Sequence, residues 1–461
     1  MPGIFQSLDI ARRAIWANRL GLDVTSNNIA NVNTPGYSRQ RVELQNAQPL
    51  QLVKGQLGLG VKVDQIRRVR DQLLDFQYRR ASYNLGKAQI QENTLLQVET
   101  IIQEPSENSI GNLLSEFFSE FSNLASEPEN TAIRNTIVQK ATALVESFRT
   151  KYERMDALQE SLIKEAQSAA NQVNEMVRQI ADLNRKIMAV DGSGGSANDL
   201  KDQRDMLLDK LSEYVDVRYV TDDKGNLTVT AEGIMLASGP SANTLEVKTT
   251  TVNGKRQLTI LVGGKEVPLK GGKLGGMREL INTTLPEITD NLNTMAKTVI
   301  EEVNRLHRAG KGLPIGTPPT SQTGLDFFVG TDARSIDINS DITDNVANIA
   351  ASVDGSPGNG EVALAISNLR NKAIFNARTD TLSDFYSNMV TRIGTQIQTA
   401  SNTRSAQELL RNQIQNQRDS VSGVSLDEEM TKLIQYQRSL EAAARVVRVV
   451  DDVLETVIGL K

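Results

Sequence analysis

Few residues of the sequence have the types and spacing that catalysis or metal binding requires. The 461-residue chain contains no cysteine and one histidine, His307. Disulfides, thiolate metal sites, cysteine catalysis and multi-histidine metal sites are therefore excluded. A Ser-His-Asp triad could use His307. Its place in "EEVNRLHRAG", just before Gly310, instead predicts a surface histidine that interacts with a helix C-terminus.

Three further motifs could suggest chemistry. "DQRDMLLDK" at 202–210 offers paired acids, which we assign to a solvated helix face. "GGKLGG" at 271–276 lacks the P-loop order of glycines followed by Lys-Ser/Thr, and we interpret it as a flexible return between elements. "VDGSGGSAND" at 190–199 could offer acids to calcium, but it is more typical of a loop between helices. We therefore predict no enzyme activity, no cofactor and no metal.

Net charge and hydropathy argue against two classes of binding partner, nucleic acids and membranes. The net charge of −5 argues against a general nucleic-acid binder. No apolar run reaches 18 residues, so we predict no membrane span and no membrane partner. The first residues, "MPGIFQSLDIARRAIW", lack the apolar region of a secretory signal peptide. Any export is expected to use another route.

The N-terminal segment has the heptad spacing of a coiled coil. Apolar and small residues recur in alternating steps of four and three, at Ile4, Leu8, Ala11, Ile15, Asn18, Leu22, Thr25 and Ile29. The stretch "NNIANVNTPGYSRQ" then ends the helix. Its poor helix formers and its turn are Asn27, Asn28, Asn31, Pro35 and Gly36. Pro35-Gly36 suits the centre of a type II turn.

The C-terminal segment has the same spacing. Its predicted contact residues are Leu426, Met430, Leu433, Leu440, Ala444, Val447, Leu454 and Ile458, with polar Gln437 and Asp451 in the series. Further apolar residues flank them, at Ile434, Val446, Val450, Val453 and Val457.

Between these ends the sequence alternates between helical and extended patterns. Residues 38–66 are predicted to be extended, and helices are predicted over 71–102, 109–125, 141–187, 361–377 and 380–420, with another starting at about 275. Turn signals and β-branched runs predict a small β insertion at 215–271. The predicted divisions are a coiled-coil arm plus extended segment (1–70), a helical middle domain in two halves (71–214 and 272–404, the second containing loop-rich 310–360), the β-rich insertion (215–271) and a C-terminal arm (405–461).

The layout predicts an elongated, mainly α, multi-domain protein whose two terminal helices lie side by side. One helix pair buries one face only, so the flanking residues need further partners. Two possibilities remain open: packing on the protein's own helical domain, or packing on neighbouring subunits by arms that order on assembly.

Four separated stretches resemble the family of bacterial flagellar hook-associated protein 1, the hook–filament junction proteins. They are residues 4–42, 198–217, 271–307 with "GLDFF" following, and 422–447, and they occur in the family's order. Rod and hook proteins share a looser form of the first stretch alone.

The resemblance implies an axial protein with terminal coiled-coil helices, a helical-bundle middle domain and a β-rich outer domain. It implies a ring homo-oligomer on the hook tip, with the hook protein below it and a second junction protein and the filament beyond. It also implies an export chaperone on the C-terminal arm (about 420–461), secretion through the type III export apparatus without a cleaved signal peptide, and an extracellular location on the flagellum. The alternatives are a hook or distal-rod subunit, or a secreted enzyme or adhesin on a coiled-coil stalk.

Overall fold

The computed structural model describes residues 2–52, 55–102, 106, 108–222, 226–252, 254–315, 320–375 and 379–459. The chain is mainly helical with small sheets, as the sequence predicts. The predicted turn at 223–226 lies largely outside the described residues. No helix in the described ranges is long and apolar enough to cross a membrane.

The described helices follow the predicted order. They are α1 (Pro2–Ala30), α2 (Gln72–Ile102), α3 (Ile110–Ser126), α4 (Thr131–Gly192), α5 (Asn198–Ser212), α6 (Gly272–Glu279), α7 (Leu285–Ala309), α8 (Ser340–Asp344), α9 (Glu361–Ser367), α10 (Leu382–Ser422) and α11 (Leu426–Gly459). A π-helical turn, Leu280–Thr284, joins α6 to α7. Helix α10 runs without a break across residues 404 and 405, so that predicted division falls inside one helix.

The strands form small antiparallel sheets. They are β1 (Gln40–Asn46), β2 (Leu50–Leu52), β3 (Gly55–Leu57), β4 (Val61–Arg68), β5 (Val217–Thr221), β6 (Leu227–Ala231), β7 (Ile234–Ser238), β8 (Ser241–Ala242), β9 (Leu245–Val252), β10 (Lys255–Val262), β11 (Lys265–Glu266), β12 (Phe328–Val329) and β13 (Asp337–Ile338). The pair β1–β4 builds the predicted extended excursion. The predicted insertion contains the sheets β5-β6-β7-β8 and β11-β10-β9.

Helix α4 organises the body because its apolar spacing continues for 62 residues, roughly 93 Å of helix. Its buried face includes most of the apolar residues of the helix predicted over 141–187, and α3 packs beside it. An aromatic cluster of Phe117, Phe121, Phe327 and Phe328 joins α3 to the loop region before β12 in edge-on and tilted contacts of 5.1–5.8 Å. The core is therefore continuous from the helices into the loop-rich region.

Two sequence predictions in the body are wrong. The predicted helix over 361–377 ends at Ser367, followed by a single 3₁₀ turn to Asn371. The glycine-rich segment 271–276 begins α6, where Gly272, Gly275 and Gly276 are buried against neighbouring elements. Gly276 allows close packing with α2 at Ile90, and Gly272 lies against the main chain of Tyr214. From the sequence alone, glycines used for close packing cannot be distinguished from glycines that make a segment flexible.

The prediction of a surface histidine at 307 is also wrong. His307 is 1% exposed, its Nδ1 lies 2.7 Å from Leu325 O, and its Nε2 accepts a hydrogen bond from Ala350 N at 2.9 Å. Both ring nitrogens thus bind main-chain groups of the loop region that follows α7. From its helix position alone, His307 is expected at a polar C-terminal end. The loop that covers it includes residues up to 43 positions later in the chain.

Arg134 of α4 also binds this loop region. Its guanidinium is fully buried and donates to Pro128 O at 2.7 Å and to Ile349 O at 2.5 Å. Burial lowers the pKa of Arg134 to about 10. Burial also lowers the pKa of His307 to about 4, helped by the Arg134 cation nearby and opposed by its bond to Leu325.

His307 should make the stability of the fold depend on acidity. Below pH 6.5 the unfolded chain binds a proton at His307, while the folded chain binds it only near pH 4. The free energy of unfolding should therefore fall by roughly 3 kcal/mol between pH 7 and pH 4 through this residue. Urea unfolding of wild type and His307→Gln should show this loss in the wild type and not in the variant, after the shared contribution of carboxylates is subtracted. Parallel pH curves for the two proteins would contradict the assignment.

Candidate assembly site

The two terminal helices, α1 and α11, pack against each other and are called the arm pair here. The packing is antiparallel, because Gly21 meets Tyr436 while Asn28 meets Glu429. A Cβ placed on Gly21 would lie 2.6 Å from the Tyr436 ring. Only glycine therefore lets the ring lie against the α1 backbone at this point.

Helix α1 presents mostly small residues to its partner. Ala11, Ala17, Val24, Thr25 and Asn28 are buried. Among the predicted contact residues, Ala11 is thus buried, and Leu8, Ile15, Leu22 and Ile29 are partly buried. The side chain of Ile4 lies outside the described part of the structure.

Helix α11 packs on α1 through a face that differs from the predicted heptad at every second contact position. At those positions the contact residue is the one just before the predicted residue. Leu433, Leu440, Val447 and Leu454 are partly buried as part of this face. Between them lie buried Glu429, Ala443 and Val450 and partly buried Tyr436, which take the places predicted for Met430, Ala444, Asp451 and Gln437. The displacement leaves Gln437 and Asp451 in solvent and avoids burying them without partners.

The remaining predicted contact residues of α11 lie mainly outside the arm pair. Leu426, Met430 and Ile458 are exposed, and Ala444 is partly buried. The structure therefore brings together only part of the predicted set within one subunit.

Asn28 joins the end of α1 to the start of α11. Its Nδ2 donates to Glu429 Oε2 at 2.8 Å and to Gln40 O at 2.9 Å. Its Oδ1 accepts from Gln40 N at 2.9 Å and from Tyr37 Oη at 2.8 Å. A buried asparagine with two donors and two acceptor positions is thereby fully satisfied. This residue therefore fixes three chain segments relative to one another.

The other predicted stop residues form the exposed outer side of the same turn. Asn31 Nδ2 donates to Asn27 Oδ1 at 2.8 Å, and both asparagines lie at the surface end of the helix. Tyr37 N donates to Thr34 O at 3.2 Å, and Gly36 has φ of 79°. This is the geometry of a type II turn with Pro35 and Gly36 at its centre. The turn directs the chain toward α5, where Ser38 N donates to Asp202 Oδ2 at 2.9 Å.

A cluster of alternating arginines and aspartates lies beneath this turn and is called the arm base here. Its members are Arg68, Arg70, Arg79 and Arg418 with Asp75, Asp202, Asp205 and Asp209. Arg68 Nη1 lies 2.7 Å from Asp202 Oδ1 and 2.8 Å from Asp205 Oδ2. Arg418 of α10 reaches both Asp75 of α2 and Asp209 of α5. The arm base thus connects four separate chain segments.

The prediction that the acids of "DQRDMLLDK" face solvent is wrong. Asp202 and Asp205 are buried. Burial alone would raise the pKa of Asp205, but Arg70, Arg68 and Arg79 overcome this and hold it below its usual value. Sequence spacing missed the site because its arginines come from β4, α2 and α10. The one available signal was the run of arginines in "IRRVR". The spacing of the acids does not indicate that they pair with these arginines.

No group of three or more His, Asp or Glu side chains that could hold a metal occurs within the described ranges. Asp191, in the last turn of α4, forms an ion pair with Lys201 at 2.9 Å. The arrangement of arms and arm base is suited to fixing helices in place.

Three family models match different parts of the chain. "Flagellar hook-associated protein FlgK helical domain" matches residues 95–328. "Flagella basal body rod protein" matches residues 8–37, and "Flagellar basal body rod FlgEFG protein C-terminal" matches residues 415–460. The last two coincide with the arm pair.

Known proteins match over nearly the whole chain. Flagellar hook-associated protein 1 of Bacillus subtilis (strain 168) is 30% identical over 506 residues, covering 100% of this chain and 99% of the relative. Flagellar hook-associated protein 1 of Salmonella typhimurium is 25% identical over 549 residues, covering 98% and 99%. The solved structure of the flagellar hook junction protein FlgK from Burkholderia pseudomallei has a TM-score of 0.64 at 16% identity, covering 76% of this chain and 100% of that chain. This last match shows a shared fold.

Asn28→Ala should loosen the arm pair at its base. The substitution removes four hydrogen bonds and leaves Gln40 and Glu429 with buried unpaired groups, at a cost of roughly 2–4 kcal/mol. Amide hydrogen exchange in residues 20–30 and 427–437 should accelerate accordingly. Asn27→Ala, at the exposed side of the same turn, is the matched control and should change exchange little. Equal exchange in the two variants would contradict the role of Asn28.

Asp205→Asn should destabilise the whole body. The variant leaves Arg68, Arg70 and Arg79 facing one carboxylate fewer, and losing one partner of a buried pair costs about 3–5 kcal/mol. Thermal unfolding should reveal a lower midpoint. Asp182→Asn, which removes an exposed partner of Arg185 and Lys186, should leave the midpoint nearly unchanged. A similar midpoint for both variants would show that the arm base does not hold the fold.

Proposed function

This chain belongs to the flagellar hook-associated protein 1 family, and we propose that it forms a ring on the hook tip to which the filament attaches. Membership makes it a flagellar structural protein that acts in flagellum assembly and motility. It also makes the chain a part of the external flagellum, associated with hook and filament components. We further propose that ring contacts form through the arm pair and that the protein has no enzymatic activity.

The observation that carries the proposal is the apolar surface left on α11 after it has packed on α1. Leu426, Met430 and Ile434 form a first flank near the start of the helix, and each is about half exposed. Val446, Val449 and Val453 form a second flank near its end, with Val449 60% exposed. Exposed apolar groups of this kind mark interaction surfaces in soluble proteins.

The two flanks lie on opposite sides of the face that meets α1. Ile434 and Val446 are each six residues from Leu440 in opposite directions, which places them about 120° to either side of it. Two different apolar surfaces on one subunit support head-to-tail contacts with two neighbours. Such contacts generate a ring when the rotation closes.

Helix α1 adds aromatic surface to the same region. Phe5 and Trp16 are more than half exposed, and their spacing of eleven residues places them on one side of the helix. The predicted contact residues that stay exposed on α11, Leu426, Met430 and Ile458, are proposed to contact neighbouring subunits. Leu433, Leu440, Val447 and Leu454 are proposed to hold the arm pair that each subunit presents.

The exposed flanks also motivate the proposed partners before assembly. A helix with this much apolar surface would associate prematurely in the cytoplasm. We propose that an export chaperone covers the C-terminal arm, about 420–461, and that the type III apparatus exports the chain without a cleaved signal peptide. On the flagellum, the proposed neighbours are the hook protein and a second junction protein that leads to the filament.

A hook or distal-rod subunit is the second candidate. The matches of rod-protein models to residues 8–37 and 415–460 favour it, because they lie on the arm pair. The helical-domain match over residues 95–328 favours the junction protein instead. Immunogold labelling of isolated flagella should place the chain at the hook–filament boundary, and labelling along the hook or rod would support the second candidate.

Charged substitutions on the flanks should block assembly without harming the subunit. Ile434→Asp and Val449→Asp place a carboxylate in a surface that must become buried, which costs several kcal/mol per contact. In cells whose own copy is deleted, each variant should be expressed but should leave hooks without filaments in electron micrographs.

Val220→Asp provides the matched control. Val220 is an exposed valine of β5, at 73% exposure, outside the arm pair. Its variant should restore filaments and motility. Circular dichroism of all three purified variants should match the wild type. Normal filaments with both flank variants would rule out the flanks as the assembly surface.

A further inference from the structure

An open cavity of about 430 Å³ lies between β4, the start of α5 and β5. Cationic side chains dominate its lining: Arg67, Arg68, Arg70, Lys201 and Arg204 face the carboxylates of Asp75 and Asp205. Helix α5 begins at this cavity, since Ser196 and Asn198 also line it. The N-cap residue of α5, Ala197, supplies no side-chain cap to the first turn. Positive charge and a helix N-terminus therefore meet at one place.

Most of these cations already have carboxylate partners. Arg68 and Arg70 pair within the arm base, Lys201 pairs with Asp191, and Arg67 pairs with Glu43 at 3.0 Å. Arg204 differs, because none of the ion pairs within the described residues includes it. Arg204 is therefore a cation of the cavity lining that has no carboxylate partner among the described residues.

One nitrogen of the Arg204 guanidinium group also lacks an acceptor. The residue is 5% exposed, and its Nη1 donates to Asn184 Oδ1 at 2.9 Å. Its Nε is buried and has no hydrogen-bond partner among the described residues. Burial lowers the pKa of the Arg204 guanidinium, with Asp205 opposing that effect and Arg68 and Arg79 adding to it. A guanidinium buried in this way is stabilised by a nearby anion.

We propose that this cavity binds an oxyanion group, of the phosphate, sulfate or carboxylate type, through Arg204 and the N-terminal end of α5. Asp75 and Asp205 are already paired with other arginines, so Arg204 is left for the ligand. The group can come from a free inorganic anion or from an acidic side chain of a second copy of this chain. Only the second source depends on the assembly proposed above.

Titration of the purified full chain with inorganic phosphate tests the site, with potassium chloride added to hold ionic strength constant. The midpoint of thermal unfolding should rise and saturate with phosphate. Arg204→Gln should weaken the apparent affinity by about tenfold or more, because charge-assisted hydrogen bonds are lost. Arg185→Gln, an exposed arginine of α4, is the control and should respond as the wild type does.

A wild-type response no larger than that to chloride would overturn the proposal, and so would an equal response of Arg204→Gln. If Arg204→Gln does not fold, Lys201→Gln at the lining of the same cavity replaces it and should bind phosphate several-fold more weakly. An unchanged affinity in Lys201→Gln would then count against the site.

Sedimentation velocity distinguishes the two sources of the anion. If an acidic side chain of a second copy occupies the cavity, saturating phosphate should reduce self-association of the wild type. If a free anion is the occupant, self-association should not change. Failure of assembly by the flank variants would leave the phosphate response of the monomer intact, so the two proposals can fail separately.

Discussion

The structure depends on a constraint that its two ends share: each arm must leave the body from one fixed position. The arm base meets this constraint with four arginines and four aspartates drawn from β4, α2, α5 and α10. Buried ion pairs contribute little net stability compared with apolar packing, because desolvation offsets their attraction. The directional geometry of these ion pairs instead allows few alternative arrangements of the segments that they join. The arm base is thus better suited to setting the position of α1 and α11 than to strengthening the core.

The core stabilises the body, and the arm base sets the position of the arms. Along α4, apolar side chains pack on α3, α7 and the β insertion, and this burial stabilises the body. Asn28 extends the polar connection into the arm pair, where it bonds to Glu429 and to the main chain of Gln40. A substitution at Asn28 therefore affects the contacts of both arms directly. A substitution in the core affects the arms only through the body.

Regular features were predictable from the sequence, and long-range polar contacts were not. The heptad spacing in α1, α4 and α11 predicts helices because each turn repeats the same local requirement. The same spacing misplaced the contact face of α11, since Tyr436 rather than the predicted Gln437 packs on α1, where Gly21 leaves room for its ring. The burial of Asp205 and His307 depends on partners 18 or more residues away, which no local pattern contains. Fold class and helix positions follow from periodicity, whereas the arm base follows from tertiary contacts.

The mismatch between the two helices of the arm pair explains why one subunit leaves apolar surface exposed. Helix α1 offers alanines and a glycine, so α11 can approach closely but is covered over a narrow face. One partner helix can cover only one face of α11, so Ile434 and Val449, which lie on other sides of the helix, remain for a neighbour to bury. The small residues of α1 thus leave α11 with two roles. One face of α11 packs on its own subunit, and both flanks stay free for other subunits. Because polar contacts at Asn28 and the arm base set the position of that face, each copy presents its flanks in the same orientation, as the proposed closed assembly of identical subunits would require.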